Sequence, residues 1–574
     1  MGQFRQSFLN AIRSFSTICT LGLIATSFSS SASDLYSQTS KAGAVATVHP
    51  IASSEAMRVL QSGGNAVDAA ITAALTLGVV DSHNSGIGGG CFVLIRWADG
   101  SIEAIDGREM APAKAHRDMY IRNGKADSNL SRTGSLAIGI PGSLAAFDYL
   151  ATKGGEKTLP SALQSAASIA ENGFPIDGIY AKRIKRKQQD IQRFPATANI
   201  LLSPKGNPWP TGHTLKQQDL ANTYRAIAKH GISYFYGGEF AKQTQQWMQK
   251  NNGIITRDDF ANYQLKIREP VKTNYRGYSL YGFPPPSSGG VHVAQILNML
   301  EGFNLKDLPE ASRLHVIGEA MKLAFADRAH WLGDSDFVKV PKGLTNKSYA
   351  QALAKRIQLN KAMAVSSHST PPLADTDLFG KHTTHLTTAD AQGNWVAITS
   401  TLNTSFGSKV IIPNSGVLMN NQMDDFSAQP GVPNAYGLVG NEANSIQPGK
   451  RPLSSMSPTL ILKDNQPVLT LGAAGGPTII TQVVQGVVNH LDLGLPLEHA
   501  IAAPRIHHQW KPDQLYVENS DSQFSIAQPH REKLQALGHK LKPFSGYGST
   551  QAISLNAKGK FTAVSEPRLS IRNQ

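Results

Sequence analysis

Two threonines in this chain stand where a hydroxyl could be turned into a nucleophile: Thr383, in the run Lys381-His382-Thr383-Thr384-His385, and Thr401. A threonine hydroxyl attacks poorly unless a base sits beside it. A threonine at a newly made chain terminus brings its own base, an α-amine with an unperturbed pKa of about 7.7 to 8.0. The polar segment 361–382, with Ser366-Ser367-His368-Ser369-Thr370-Pro371-Pro372, leads into Thr383, and Thr401 could orient its hydroxyl. Loops of that length in a compact protein are usually functional or disordered. Most Thr-Thr pairs are ordinary strand residues, and this junction alone leaves both readings open. Elsewhere, Arg108 between Asp106 and Glu109 reads on its own as part of a surface ion pair. Ser454-Ser455 reads as a turn and Asp424-Asp425 as a helix cap. His507-His508 and the pair His382 and His385 show neither HExxH nor Cys–His spacing, so no metal is expected.

Four hairpins would position these residues. Strand-like segments 385–388 and 395–401 flank a turn at 390–394. Centring that turn on Gln392 sets Thr383 opposite Thr401, with Cβ atoms roughly 5 Å apart. Segments 459–463 and 468–471 around Asn465 set Ser455 opposite Gly475 and Ser454 opposite Gly476. A turn at Ala98-Asp99-Gly100 sets Arg108 opposite Gly90, and Lys558 centres a fourth hairpin over 551–564. Polar and glycine positions thus fall repeatedly at strand ends. Helices are expected over 66–80, 315–332, 478–491 and 496–503, the last two preceded or opened by proline, which suits a first helical position. Antiparallel strands with helices outside them imply a sandwich. Length alone would suggest about three or four domains, but this interleaving argues for one large integrated domain.

Composition narrows the class. Of 574 residues 41% are hydrophobic and 17% charged, enough for a large core; 51 glycines and 31 prolines speak against coiled coil. Residues 1–33 carry Arg5 and Arg13, an apolar stretch over 15–28 and small residues before Asp34, the pattern of a cleaved secretory signal. That apolar run is short of the ~20 residues needed to span a bilayer, and residues 66–80 read as a buried helix. The destination is a periplasm or the extracellular space. With Cys19 inside the signal, Cys91 is alone in the mature chain and reads as a core thiol. The net charge of +14 raises nucleic acid as a partner. The densest basic run, 182–187, lacks interleaved aromatics, so it reads as a solvated helix face and no nucleic acid is expected.

Taken together, several motifs resemble the gamma-glutamyltranspeptidases. They are Thr383-Thr384-His385, Thr401-Leu402-Asn403-Thr404-Ser405-Phe406-Gly407, Asn420-Asn421-Gln422-Met423-Asp424-Asp425-Phe426, and Pro452-Leu453-Ser454-Ser455-Met456-Ser457-Pro458 with Gly475-Gly476. Residues 106–112 and 284–290 are similar to the family too, so the likeness runs through the mature chain in the family's order. It implies an α+β, four-layer αββα N-terminal-nucleophile hydrolase fold. It also implies self-cleavage between His382 and Thr383, giving a heterodimer of residues 34–382 and 383–574. By the same resemblance Thr383 is nucleophile and base, and Thr401 bonds its hydroxyl. Gly475 and Gly476 form the oxyanion hole; glycines allow close approach and a helix N-terminus favours negative charge. Arg108, Ser454 and Ser455 clamp the glutamyl α-carboxylate, Asn403, Gln422 and Asp425 hold its ammonium, and Tyr436 belongs to a lid. Implied substrates are glutathione and other gamma-glutamyl compounds, with amino acids or peptides as acceptors and no cofactor. Thr387, where many members carry serine, and Lys381-His382 before the cut depart from the pattern. The rivals are a cephalosporin or glutaryl acylase of the same fold and an exported binding protein with a dead site.

Overall fold

A computed structural model of the protein describes residues 36–371, 384–429, 431–432, 434, 437–438, 440, 442–544 and 548–572. The segment 1–33, the junction residues His382 and Thr383, and Tyr436 lie outside the described residues. The chain lays down β1 (Ser37–Thr39), β2 (Gly43–Ala46), β3 (Gly90–Arg96), β4 (Ile102–Gly107) and β5 (Lys266–Arg268) in a first sheet. It crosses to a second sheet for β6 (Val271–Tyr275) and β7 (Tyr278–Gly282), then returns for β8 (Thr384–Asp390) and β9 (Trp395–Thr401). It ends in the second sheet with β10 (Thr459–Lys463), β11 (Gln466–Ala474), β12 (Ser549–Leu555) and β13 (Phe561–Ser565). The orders are β1-β2-β8-β9-β3-β4-β5 and β6-β7-β10-β11-β12-β13, and every pairing within them is antiparallel. Both sheets therefore contain strands from either side of residue 383, and in the first the pair β8–β9 lies between strands of the earlier segment.

The layers follow from the period of two. In β3 the side chains of Cys91, Val93 and Ile95 join one core while Phe92 and Leu94 join another. The first of these cores lies against helices α1 (Pro50–Gln61), α2 (Ala66–Val80), α3 (Ser143–Gly154) and α4 (Leu159–Asn172). The other lies between the sheets, where Phe92 stacks on Phe283 at 4.1 Å. A third core separates the second sheet from α6 (Gly289–Leu300), α7 (Glu310–Trp331) and α8 (Thr478–Val487). Because helices cover one face and the other sheet covers the opposite one, the central strands β3, β8 and β9 are buried along their whole length. The result is an α+β sandwich of helix, sheet, sheet and helix. The basic run lies in α5 (Gly178–Gln192), capped by Asp177.

All four hairpin registers expected from the turns hold for the described pairs: Thr384 faces Ser400, Cys91 faces Gly107, Gln551 faces Ser565 and Thr459 faces Leu471. A bulge between Ile461 and Leu462 shifts the last by one residue toward its turn. The helix over 66–80 has the expected bounds, closed by an Asn65–Asp68 capping box. Others differ at their ends. The helix expected over 315–332 begins earlier, at Glu310, and that over 496–503 shortens to Leu497–Ala502. The helix expected over 478–491 is α-helical only to Val487 and continues as a wider π turn over Val488–Asp492.

Candidate active site

The open end of the β8–β9 hairpin begins at Thr384, covalently next to Thr383, and ends at Thr401, which pairs with Gly90. The Thr401 hydroxyl accepts the Asn403 N–H at 2.7 Å, which leaves its own proton to donate elsewhere. Asn403 sits at φ +76°, a left-handed conformation asparagine tolerates, and its amide nitrogen donates to the Asn421 carbonyl at 2.9 Å. One strand residue on, His385 is buried against Gly472 of the opposing sheet and meets Thr399 Oγ1 at 3.0 Å. Burial lowers its pKa to about 3, so the imidazole is neutral at working pH.

Across the cleft β11 ends at Ala474 and the chain turns through Gly475 and Gly476 before Pro477 starts α8. The glycines have φ of +133° and +61°, and a Cβ on Gly475 would lie 2.6 Å from Thr478 Oγ1. Glycine is required here for both reasons. Neither glycine's N–H has an acceptor among the described residues. Both line a cleft of about 510 Å³ together with Thr384, Asn403 and Thr404.

A charged cluster adjoins this cleft. Arg108 is fully buried and donates from Nη2 to Asp425 Oδ2 at 2.8 Å and from Nε to the Pro452 carbonyl at 3.2 Å. Its Nη1 lies 3.5 Å from Glu109. The surface pair that the local sequence suggests is thus a buried network, because β4 ends against the sheet interior. Gln422 Nε2 donates to Asp425 Oδ2 at 2.6 Å, within the 3₁₀ turn Gln422–Asp425. Burial pushes the Asp425 carboxyl up to about 7, although Arg108 opposes that shift, and burial also pushes Glu109 up to about 7. Ser455 Oγ is buried with no hydrogen-bond partner among the described residues. A Cβ at Gly90 would collide with the Glu109 carboxylate, so the glycine that pairs with Thr401 also lets the charged cluster approach the hairpin.

Of the described candidates, Asn403, Gly475 and Gly476 line the cleft, Thr401 bonds Asn403, Arg108, Gln422 and Asp425 share one buried network that reaches the Pro452 carbonyl, and Ser454 and Ser455 follow Pro452 closely in the chain; His382, Thr383 and Tyr436 fall outside the described residues. Sequence reasoning missed Arg328. It is buried on α7, its Nε donates to Ser288 Oγ at 3.3 Å, and Ser288 Oγ donates in turn to the Ser454 carbonyl at 2.7 Å. Burial lowers its pKa to about 9, against the pull of nearby Asp425. Nothing local marked it out: Arg328 follows Asp327 in a helix that also carries Arg313, Glu319 and Lys322. The basic run needs a correction too: Lys182 and Lys185 are exposed, but Arg183, Arg186 and Lys187 line the cleft. Cys91 is a buried thiol whose pKa burial raises.

Among the described residues one group could geometrically hold a metal: His315, Glu319 and His539. The two rings already meet at 2.7 Å and the Lys322 ammonium lies 3.0 Å from Glu319, so a cation there would face a competing positive charge. His507 and His508 are engaged by Thr481, Gln509 and Asp513.

Comparison with known proteins agrees with this geometry. The family model described as Gamma-glutamyltranspeptidase matches residues 52–572. The glutathione hydrolase proenzyme of Escherichia coli K12 is 44% identical over 532 residues, covering 92% of this chain and 90% of that one. Among solved structures, the cephalosporin acylase from Bacillus halodurans superposes with a TM-score of 0.82 at 28% identity, covering 95% of this chain and 98% of that one. The gamma-glutamyltranspeptidase of Helicobacter pylori gives 0.57 at 37% identity, over 58% of this chain and 96% of that one. With a buried guanidinium, a buried carboxylate and a glycine turn around one hairpin end, and a family model matched over almost its whole length, the chain belongs to the gamma-glutamyltranspeptidase family.

Proposed function

We propose that the protein is a self-processing gamma-glutamyltranspeptidase and glutathione hydrolase. In processing, the Thr383 hydroxyl attacks the His382 carbonyl; the peptide C–N bond breaks, the freed amine takes a proton, and water opens the resulting ester. Residues 34–382 and 383–574 remain associated, a reading supported by sheets that draw strands from both segments. In catalysis the Thr383 amine takes the hydroxyl proton while the oxygen attacks the gamma-glutamyl carbonyl. Gly475 and Gly476 donate N–H groups to the oxyanion, an interaction whose loss typically costs about 2.7 to 4 kcal/mol. The amine leaves with the proton, and water or an acceptor amine then cleaves the acyl ester, restoring the hydroxyl. Thr401 orients that hydroxyl, Arg108, Ser454 and Ser455 bind the α-carboxylate, and Asn403, Gln422 and Asp425 bind the α-ammonium. Tyr436 lies in a lid over the donor. Residues 1–33 direct export, to a periplasm or beyond; no helix among the described residues is long and apolar enough to cross a membrane.

The observation that carries this reading is the buried Arg108–Asp425 pair. A zwitterionic acyl group needs both signs in one pocket, and this pair supplies them. The likeness to a cephalosporin acylase favours a second reading, but a glutaryl group has no ammonium for Asp425 to hold. Intact mass of the purified protein beside Thr383→Ala tests the proposal. Two polypeptides are expected from the first and one from the second. A wild type that stays whole and turns over no gamma-glutamyl anilide would leave only a binding protein.

A further inference from the structure

At the end of the sandwich away from the glycine turn, chain reversals from both sheets surround a second cleft. They are residues 39–41 at the end of β1, 390–393 at the end of β8, Gln466-Pro467 at the start of β11, and Gly559-Lys560 before β13. The space is about 770 Å³, within the usual range for a small-molecule site. In β3 the period of two that sets Phe92 and Leu94 between the sheets sets Arg96 there as well, at the strand's last position. Its cross-strand partner is Trp395, the first residue of β9, which joins the same inter-sheet core. That strand ends at Thr401, so the cleft lies about 20 Å from the catalytic end.

The lining is apolar where it meets the inter-sheet core and cationic where it meets water. Leu555 and Phe561 pack on that core, and the Phe561 and Trp395 rings lie 6.0 Å apart. Lys41 and Lys560 are exposed, and neither side chain has a hydrogen bond or ion pair with any described residue. Arg96 is only 8% exposed. Its Nη1 donates to the Gly393 carbonyl at 2.8 Å and to the Trp97 carbonyl at 3.2 Å. Its buried Nε has no hydrogen-bond partner, and no carboxylate pairs with it, among the described residues. A buried guanidinium without a counter-charge is costly, and an anion in the cleft would provide one. The one carboxylate among the described lining residues is fully engaged. Asp390 Oδ1 accepts the Gln392 and Asn394 N–H groups at 2.9 Å, and Oδ2 accepts the Ala66 N–H and the Asn394 amide at 2.8 Å. Those bonds tie the turn to the start of α2, so this wall is formed before any ligand arrives. Asp99, which feels the Arg96 charge, is exposed and accepts the Ser101 N–H and hydroxyl. We propose that this cleft is a ligand site separate from the acyl pocket, taking a small carboxylate carried on an apolar body. Arg96, Lys41 and Lys560 bind the carboxylate, and Leu555 and Phe561 cover the apolar part. A neutral ligand would leave the guanidinium unpaired, and a lone anion would leave the apolar wall wet. The site does not depend on the transpeptidase reading.

The test is calorimetric titration with naphthylacetate, its neutral amide and acetate. A ligand of naphthylacetate's size should bind the wild type with a dissociation constant of about 1 mM. The amide and acetate should each bind about tenfold more weakly or worse, because each lacks one half of the recognition. Arg96→Gln removes the buried donor, while Lys41→Glu/Lys560→Glu leaves the core untouched; each should weaken naphthylacetate about tenfold. Lys182→Glu/Lys185→Glu makes the same charge change at exposed positions of α5 and should keep the wild-type affinity. Glutamate, which fits the acyl pocket, should not displace the ligand. Equal affinity in the wild type and in Lys41→Glu/Lys560→Glu, no preference for the carboxylate over the amide, or displacement by glutamate each overturns the site, as does a wild type that binds no naphthylacetate.

Discussion

Replacing Asp425 by asparagine removes one charge from a closed site at almost constant volume. Its carboxylate accepts from Arg108 at 2.8 Å and from Gln422 at 2.6 Å, and burial pushes its pKa up to about 7. A carboxyl whose pKa is raised on folding contributes stability at low pH that is lost as pH rises through the folded value. Above that value the ionised form costs on the order of 4 kcal/mol relative to an unfolded aspartate. The neutral amide has no such titration but removes the counter-charge of the buried Arg108, so the difference in melting temperature between Asp425→Asn and the wild type should move in the variant's favour as pH rises from about 5 to about 8. Donor recognition should behave in the opposite way. A hydrogen bond between charged groups contributes roughly 1.5 to 3 kcal/mol, a factor of about 10 to 150. Gamma-glutamyl and glutaryl anilides differ only in the ammonium, so their kcat/KM ratio isolates that contact. Asparagine should lower the ratio by about 10- to 150-fold while glutaryl turnover holds. If the two rates fall together, or the ratio keeps its wild-type value, Asp425 does not hold the ammonium.

The same carboxylate sets a pH dependence. As pH falls below about 7 Asp425 takes a proton and loses its charge, so KM for the gamma-glutamyl donor should rise while that for the glutaryl donor stays flat. Steady-state titration of both donors between pH 5.5 and 8.5 checks this, those limits being set about 1.5 units either side of 7. Gly475→Ala places a Cβ at φ +133° and 2.6 Å from Thr478 Oγ1, which must re-aim the neighbouring N–H groups. It should lower kcat by about 10²- to 10³-fold with little change in KM, read in the anilide assay. Arg328→Lys keeps the charge but loses the planar donor to Ser288, and with it the support of the Ser454 carbonyl. Donor KM should rise about tenfold, as for loss of roughly 1.4 kcal/mol of positioning, with kcat nearly unchanged.

The turns were enough to set the hairpin registers, because a slip of one residue would exchange the two faces of β3, setting Phe92 and Leu94 against the helices and Cys91, Val93 and Ile95 between the sheets. The same logic bounded α2, whose capping box and apolar run are contiguous in sequence. Helix ends away from such signals moved, as at Glu310 and in the π turn after Val487, since packing against the second sheet decides them. The site was legible as residue types and motif order. Its electrostatics were not: Arg108 beside Glu109 looks like an exposed pair until β4 buries it, and Asp425 acquires its raised pKa only from the low-dielectric surroundings of the folded chain. Arg328 and the cleft-facing half of α5 were equally hidden, because a helix shows in sequence which residues share a face but not what that face meets. The sequence by itself thus determined strand pairing, the order of the chemical motifs and the family. Only the tertiary structure decided which charges are buried, which are paired and which face the cleft, because those depend on contacts between segments hundreds of residues apart, such as Arg108 with Asp425 and Arg183 with Ser405.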